Sequence, residues 1–294
     1  MSGLFDLLND LDNQTSEPEK ERILRAPFGY PGGKSRSIAN ILPLLPIRHT
    51  YVEPFGGSAA VLLARPKCRL EVYNDRYGGV TSFYRCIREK DKLDRLYDRL
   101  ALTVHSREEW CWCKETWKNV EDDVERAARW YYMTIYSFSS LGRNFGRATK
   151  GGTLAGRIQT KIKDFPLIHE RFMRVQVENL DYYNLMKDYD SRETVFYCDP
   201  PYVDAFRGTF KHEMGISEHK KFLDLVFHMK GFVAVSGYSN PLYDNQDWDS
   251  KHSWESYVSA SPRAFCEGNH KIKRDCVDKR VHSEEVLWIK EARR

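Results

Sequence analysis

The stretch Tyr51-Val52-Glu53-Pro54-Phe55-Gly56-Gly57-Ser58-Ala59-Ala60-Val61-Leu62-Leu63-Ala64, followed after a short link by Leu70-Glu71-Val72-Tyr73-Asn74-Asp75, decides the fold. Tyr51-Val52 is short and β-prone, Gly56-Gly57 breaks it, and Ser58 to Ala64 reads as the start of a buried helix. Leu70 to Tyr73 supplies a second strand that ends at Asn74-Asp75. The three pieces make a βαβ unit, and hence a parallel sheet of an α/β protein. In such a sheet ligands gather beyond the carboxyl ends of the strands. Glu53, Gly56, Gly57 and Asp75 all fall at such ends.

Outward from this unit the pattern changes. Between Val80 and Gln176 strand signals fade, and helical stretches appear at Lys90 to Leu102 and Asp122 to Tyr136, followed by the Gly-rich basic segment Gly142 to Gly156. The α/β alternation then resumes with apolar runs at Val175-Val177, Val195-Cys198, Phe232-Val235 and Val286-Ile289, and with a helix over Ser217 to Met229 that Ser217 is expected to cap. The reading is a core split into residues 26–79 and 177–294 around a mostly helical insert, 80–176. Residues 1–25 are polar and acidic, and are expected to form a flexible arm.

Length and composition bound the possibilities. A chain of 294 residues buries one large core and a smaller insert, and its 41% apolar and 30% charged residues belong to a water-soluble globular protein. No apolar run reaches the roughly 20 residues of a membrane span, and the N-terminus lacks a secretory signal, so a cytoplasmic location without membrane contact is expected. The seven cysteines include no CxxC pair, which points to reduced thiols and no metal site. The net charge of +4 is mild, but residues 139–174 carry eight cations against two acids. That local excess suits a nucleic-acid partner.

Three motifs carry chemistry. Asp199-Pro200-Pro201-Tyr202 follows the strand-like Thr194-Val195-Phe196-Tyr197-Cys198. Proline fixes φ and has no N–H, so the pair forms a rigid turn whose carbonyls only accept. If Asp199 and the Pro200 carbonyl accept both hydrogens of an exocyclic base amine, its delocalised lone pair is drawn out and can attack a methyl sulfonium. Tyr202 offers a flat face to a base extruded from a duplex. In the second motif, Glu53 to Ser58, glycines admit a ligand to the backbone, and Asp75 lies 19 positions after Gly56. That is close to the roughly 20-residue spacing at which an acid reaches a ribose. A nucleoside cofactor is implied, while the missing G-x-G-x-x-G and Walker lysine argue against nicotinamide and ATP hydrolysis. Third, Tyr30-Pro31-Gly32-Gly33-Lys34 sets an aromatic beside a glycine turn and a cation. Tyr30 can stack on an adenine, and Lys34 can hold an oxygen.

Taken in this order, the motifs resemble the Dam-like, D12-class N6-adenine DNA methyltransferases over about residues 26 to 290. The resemblance implies a Rossmann-like core that uses S-adenosyl-L-methionine, with a target-recognition insert. It implies cofactor contacts from Tyr30, Gly33, Lys34, Glu53, Phe55, Gly56, Gly57, Asp75, Leu180, Asp181 and Asp199. Catalysis would fall to Asp199, Pro200, Pro201 and Tyr202, and the segment ending Glu284-Glu285-Val286-Leu287-Trp288-Ile289 resembles the family's closing strand. DNA, double-stranded and with its target base flipped, would be the partner. Lys34, Arg143, Asn144, Arg147 and Lys150 are the candidate DNA contacts, with Lys34 near the cofactor or target base, Arg143 and Asn144 suited to base edges, and Arg147 and Lys150 to phosphates. Residues 138–147 only partly echo the hairpin of members that read GATC. A restriction enzyme counterpart is compatible with the family. The residues alone leave open N4-cytosine methylation, an RNA substrate, a catalytically inactive DNA-binding relative and a nucleotide-binding structural protein.

Overall fold

The computed structural model describes residues 23–148, 153–203, 214–257 and 282–292. Most of the expected N-terminal arm, and Lys150, lie outside the described residues. Seven strands form one sheet: β1 (Thr50–Glu53), β2 (Leu70–Asn74), β3 (Val175–Glu178), β4 (Thr194–Cys198), β5 (Phe232–Tyr238), β6 (Ser250–Tyr257) and β7 (His282–Lys290). Their order is β3-β2-β1-β4-β5-β7-β6. The first five run parallel, whereas β7 is antiparallel to both β5 and β6. The fold is thus the Rossmann-like α/β class that the opening βαβ unit implies.

β1 lies at the centre of the five parallel strands, and all four of its residues are buried, as a strand covered on both faces requires. It pairs with β2 on one side and β4 on the other, Thr50 standing opposite both Leu70 and Thr194. The connections leave β1 in opposite directions at this point, which opens a crevice above the carboxyl ends of β1 and β4.

Alternation along the strands builds two apolar layers. Val52, Val72, Phe196, Cys198, Val233 and Val235 face one way, against α9 (Tyr182–Asp188) and α10 (Ile216–His228). Tyr51, Tyr73, Val195, Tyr197 and Ala234 face the other way. Two short helices, α1 (Ile38–Ile41) and α2 (Ala60–Ala64), join that second layer, together with the helices between β2 and β3. These are α3 (Gly78–Arg88), α4 (Lys90–Ala101), α5 (Arg107–Thr116), α6 (Asp123–Ile135), α7 (Arg157–Lys161) and α8 (Phe165–Phe172). The apolar cluster runs without a break from Tyr51 and Tyr73 to Trp130 and Phe165. Arg171 of α8 also donates from both terminal guanidinium nitrogens to buried Glu71 of β2, so the helices are tied to the sheet by charge as well as packing.

Two details differ from the sequence reading. Ser217 does not cap α10: the helix starts at Ile216 behind Gly215, with no side-chain cap bond. β6 was not anticipated, because an edge strand reading Ser-Lys-His-Ser-Trp-Glu-Ser-Tyr has too few apolar residues to show an alternation. Among the tryptophans of the helical region, Trp110, Trp117 and Trp130 are buried in the core, whereas Trp112 is 41% exposed. It lies two residues from Trp110 on α5, hence on a different face, and stacks under the Arg129 guanidinium at 3.7 Å.

Candidate active site

The crevice at the ends of β1, β2 and β4 is a cleft of about 980 Å³, its open mouth counted. Among the residues singled out in the sequence, Tyr30, Gly33, Lys34, Glu53, Phe55, Gly56, Gly57, Asp75, Leu180, Asp199 and Pro201 line it. Pro200, Pro201 and Tyr202 border a smaller hollow of about 200 Å³ toward β5 and α11 (Pro241–Asp244). Asp181 is not among the lining residues. It caps α9, accepting from the Tyr183 amide at 3.0 Å, and faces Arg76 at 3.7 Å.

The turn after β1 is shaped by contact rather than by glycine flexibility alone. A Cβ on Gly56 would sit 2.2 Å from the Tyr73 ring, and Gly57 has φ +49° with the Tyr30 ring across it. Two bonds lock the turn, Gly56 N–H donating to the Asn74 carbonyl at 2.7 Å and Gly57 N–H to Asp75 Oδ2 at 2.8 Å. Asn74, which the sequence reading passed over, donates to the Pro54 and Leu180 carbonyls and accepts from the Leu180 amide at 2.7 Å. One buried side chain therefore spaces two walls of the cleft.

Two buried acids face this space. Burial pushes Glu53 up to about 8, against the opposing pull of the Tyr51 hydroxyl, which donates to it at 2.6 Å, and of Arg65. Burial likewise pushes Asp75 up to about 6, against the Tyr77 and Gly57 amides that donate to it. Among the described residues neither acid has an ion-pair partner, so each can take a cation or a hydroxyl from a ligand.

Asp199 sits where β4 opens into the Pro-Pro turn. The Lys34 ammonium donates to both its oxygens, at 2.7 and 2.6 Å, and the Ser236 hydroxyl donates to Oδ1 at 2.8 Å. Lys34, only 4% exposed, also donates to the Gly32 carbonyl and to the Tyr202 hydroxyl, each at 2.7 Å, and lies 3.3 Å from Glu285 of β7. Burial pulls the Lys34 ammonium down, yet Asp199 and Glu285 together outweigh it and its pKa stands above the ordinary value. Burial raises Asp199, Lys34 offsets part of that, and Glu285 adds to it. One cation serves two carboxylates.

The sequence reading did not single out Glu285, Ser236 or Tyr197 as site residues. Ser236 on β5 carries Asp199 and is itself bonded to the Tyr197 hydroxyl at 3.1 Å. The only local signal was an acid at the head of the apolar run Val286 to Ile289.

Beside the cleft, residues 137–146 fold back as a tight loop. Ser137 bridges Phe145, Phe138 N–H donates to the Asn144 carbonyl at 2.8 Å, and Gly146 N–H to the Tyr136 carbonyl at 2.7 Å. Ser140 lies against Gly29, next to Tyr30. Arg143, Asn144 and Arg147 are exposed, as is Phe138 at 68%, an aromatic that the sequence reading left unassigned.

Residues 30–267 match the D12 class N6 adenine-specific DNA methyltransferase family. Two curated relatives are similar to this chain. A DNA N-6-adenine-methyltransferase of Escherichia phage P1 is 25% identical over 233 residues, which are 74% of this chain and 30% of the relative. The modification methylase LlaI of Lactococcus lactis subsp. lactis is 27% identical over 202 residues, 63% of this chain and 30% of the relative. The chain thus spans about 30% of the length of each of these relatives.

Proposed function

Because this chain belongs to the D12 class N6 adenine-specific DNA methyltransferase family, we propose that it transfers a methyl group from S-adenosyl-L-methionine to the N6 amino group of adenine in DNA. The observation that carries the reading is the seat of Lys34. The Lys34 ammonium nitrogen lies within 2.7 Å of both Asp199 oxygens, which supports a turn whose oxygens accept N–H hydrogens at this point. In the reaction Asp199 and the Pro200 carbonyl accept from the target amine and direct its lone pair. Among the described residues no donor reaches that carbonyl. Tyr202 stacks on the base.

The donor set of the larger cleft fits the cofactor. Tyr30, Phe55 and Leu180 give apolar walls for an adenine, Asp75 an acceptor for ribose hydroxyls, and Glu53 an acceptor for the methionine ammonium. When bound, S-adenosyl-L-methionine supplies an electrophilic methyl on sulfur. The acceptor turn is recessed, with Pro200 buried and Asp199, Pro201 and Tyr202 half-buried, so a target base in duplex DNA must leave the stack to reach it. Residues 80–176 serve as the target-recognition insert. Its loop offers Arg143 and Asn144 to base edges, Arg147 to phosphate and Phe138 as an apolar wedge at the gap the base leaves. Such a protein works in the cytoplasm, with or without a restriction partner.

The test is to incubate duplex DNA with the protein and labelled S-adenosyl-L-methionine, then digest it to nucleosides. Label in N6-methyladenine is expected; label in N4-methylcytosine, or none, overturns the reading.

Glu53 gives a second measurement. With a pKa of about 8 it is mostly protonated at pH 7, and an ammonium placed beside it ionises it. Binding of S-adenosyl-L-methionine at pH 7 should therefore release about one proton, seen by calorimetry in buffers of different ionisation enthalpy. Glu53→Gln should bind about ten-fold or more weakly and release none. The sign for stability follows. The folded pKa lies above the ordinary 4.5, so cofactor-free protein loses stability as pH rises from 4.5 through about 8, and Glu53→Gln flattens that slope. Equal proton release by the two proteins would place the ammonium elsewhere.

A further inference from the structure

Lys34 donates to both oxygens of Asp199 and Ser236 to Oδ1 as well, so the ammonium competes with a target amine for the carboxylate's acceptor sites and the amine is better served once it lets go. Something must keep the ammonium when it lets go, because a buried unpaired cation is costly. Glu285 is the candidate on geometric grounds. It is 6% exposed, comes from β7 on the far side of β5, and stands 3.3 Å from the Lys34 nitrogen. Its own position is fixed, with the Ser37 hydroxyl donating to Oε2 at 3.2 Å and the Tyr202 hydroxyl to Oε1 at 3.1 Å. Ser37 is held in turn by the Trp254 indole N–H from β6, at 3.2 Å. Two antiparallel strands thus set a second carboxylate beside the lysine.

We propose that Glu285 is a positioning residue that takes over the Lys34 ammonium when the target amine claims the oxygens of Asp199. The inference rests on the methyltransferase reading above. Lys34 needs only a small displacement, since Glu285 already stands 3.3 Å from its nitrogen and the Tyr202 hydroxyl touches both groups. Glu285 thereby keeps the cationic charge near the turn without letting it compete for the acceptor.

The groups facing the pair are Tyr197 and Ser236 behind Asp199, Tyr202 beside both, and Tyr30 across the cleft. None of them carries a formal charge at neutral pH, so Glu285 is the carboxylate that Asp199 feels most closely. Its negative charge raises Asp199. Removing that charge lets Asp199 stay ionised at lower pH.

The experiment compares wild type with Glu285→Gln and Glu285→Asp. Single-turnover methyl transfer under saturating DNA and cofactor should fall roughly ten- to a hundred-fold in Glu285→Gln, with the acid limb of the pH profile moved to lower pH. Carbon-13 NMR of labelled aspartate, assigned with Asp199→Asn, should show the same downward move of the Asp199 titration in unliganded protein. Glu285→Asp retains the charge and should keep both at the wild-type position. A wild-type rate in Glu285→Gln overturns the proposal, as does a lowered rate with unmoved limb and titration, which would mark a structural role only. A moved titration in a protein that never methylates DNA supports the coupling and overturns the methyltransferase reading instead.

Discussion

Asp199→Ala is expected to lower the methyl-transfer rate by on the order of a thousand-fold or more, because it removes an acceptor that acts on the amine as its charge develops. The fold should survive. Asp199 carries no strand pairing, and Lys34 keeps Glu285, Tyr202 and the Gly32 carbonyl as partners. Affinity for S-adenosyl-L-methionine should change little beside the rate, since Glu53 and Asp75 are untouched. Asp199→Asn sharpens the test. It preserves the shape and one acceptor oxygen, yet turns an N–H₂ toward either the Lys34 ammonium or the incoming amine, so it too should lose most of the rate. Single-turnover kinetics with a separate binding titration measures both quantities. Full turnover by either variant would sink the mechanism.

The parts of this site that were legible in the sequence are those made by neighbours along the chain. Glu53 with its two glycines, Asp75 and the Asp199 turn each sit at the end of an apolar strand run, and the rule that parallel strands deliver ligand groups at their carboxyl ends joins them without any distance being known. What stayed hidden was set by long-range register. Glu285 reaches Lys34 only because β7 inserts antiparallel between β5 and β6, pairing Glu285 with Tyr238 and with Trp254. No local pattern encodes that insertion. Ser236 is in the same position, a small polar residue on a buried strand whose partner is 37 residues away. Asp181 was named from the family resemblance; a short acid just before a helix is also a capping signal, and Asp181 caps α9. Within the helical region, Phe138 was hidden because an aromatic is ordinarily assigned to a core.

Lys34→Met is expected to be the most damaging change to the folded state itself. Methionine fills much the same volume, so packing is nearly kept, but half-buried Asp199 and buried Glu285 lose their shared cation. Removing one partner of a buried charge cluster costs about 3–5 kcal/mol. The pH dependence gives the cause away. Asp199 already titrates above its ordinary 3.8 in the folded protein, because burial and Glu285 outweigh Lys34, and without the lysine it must rise further. A carboxylate raised on folding binds its proton more tightly in the native state, so the stability it contributes is present below the ordinary pKa and is lost as pH rises through the folded one. Lys34→Met should therefore be hurt more at pH 8 than at pH 5 in urea unfolding, whereas a packing defect would cost the same at both. Adding Glu285→Gln to Lys34→Met removes one of the stranded charges and should recover part of the loss at pH 8 and little at pH 5. Equal destabilisation at the two pH values, with no recovery in the double variant, would mean that Lys34 holds the site by its shape and not by the charge it divides between the two acids.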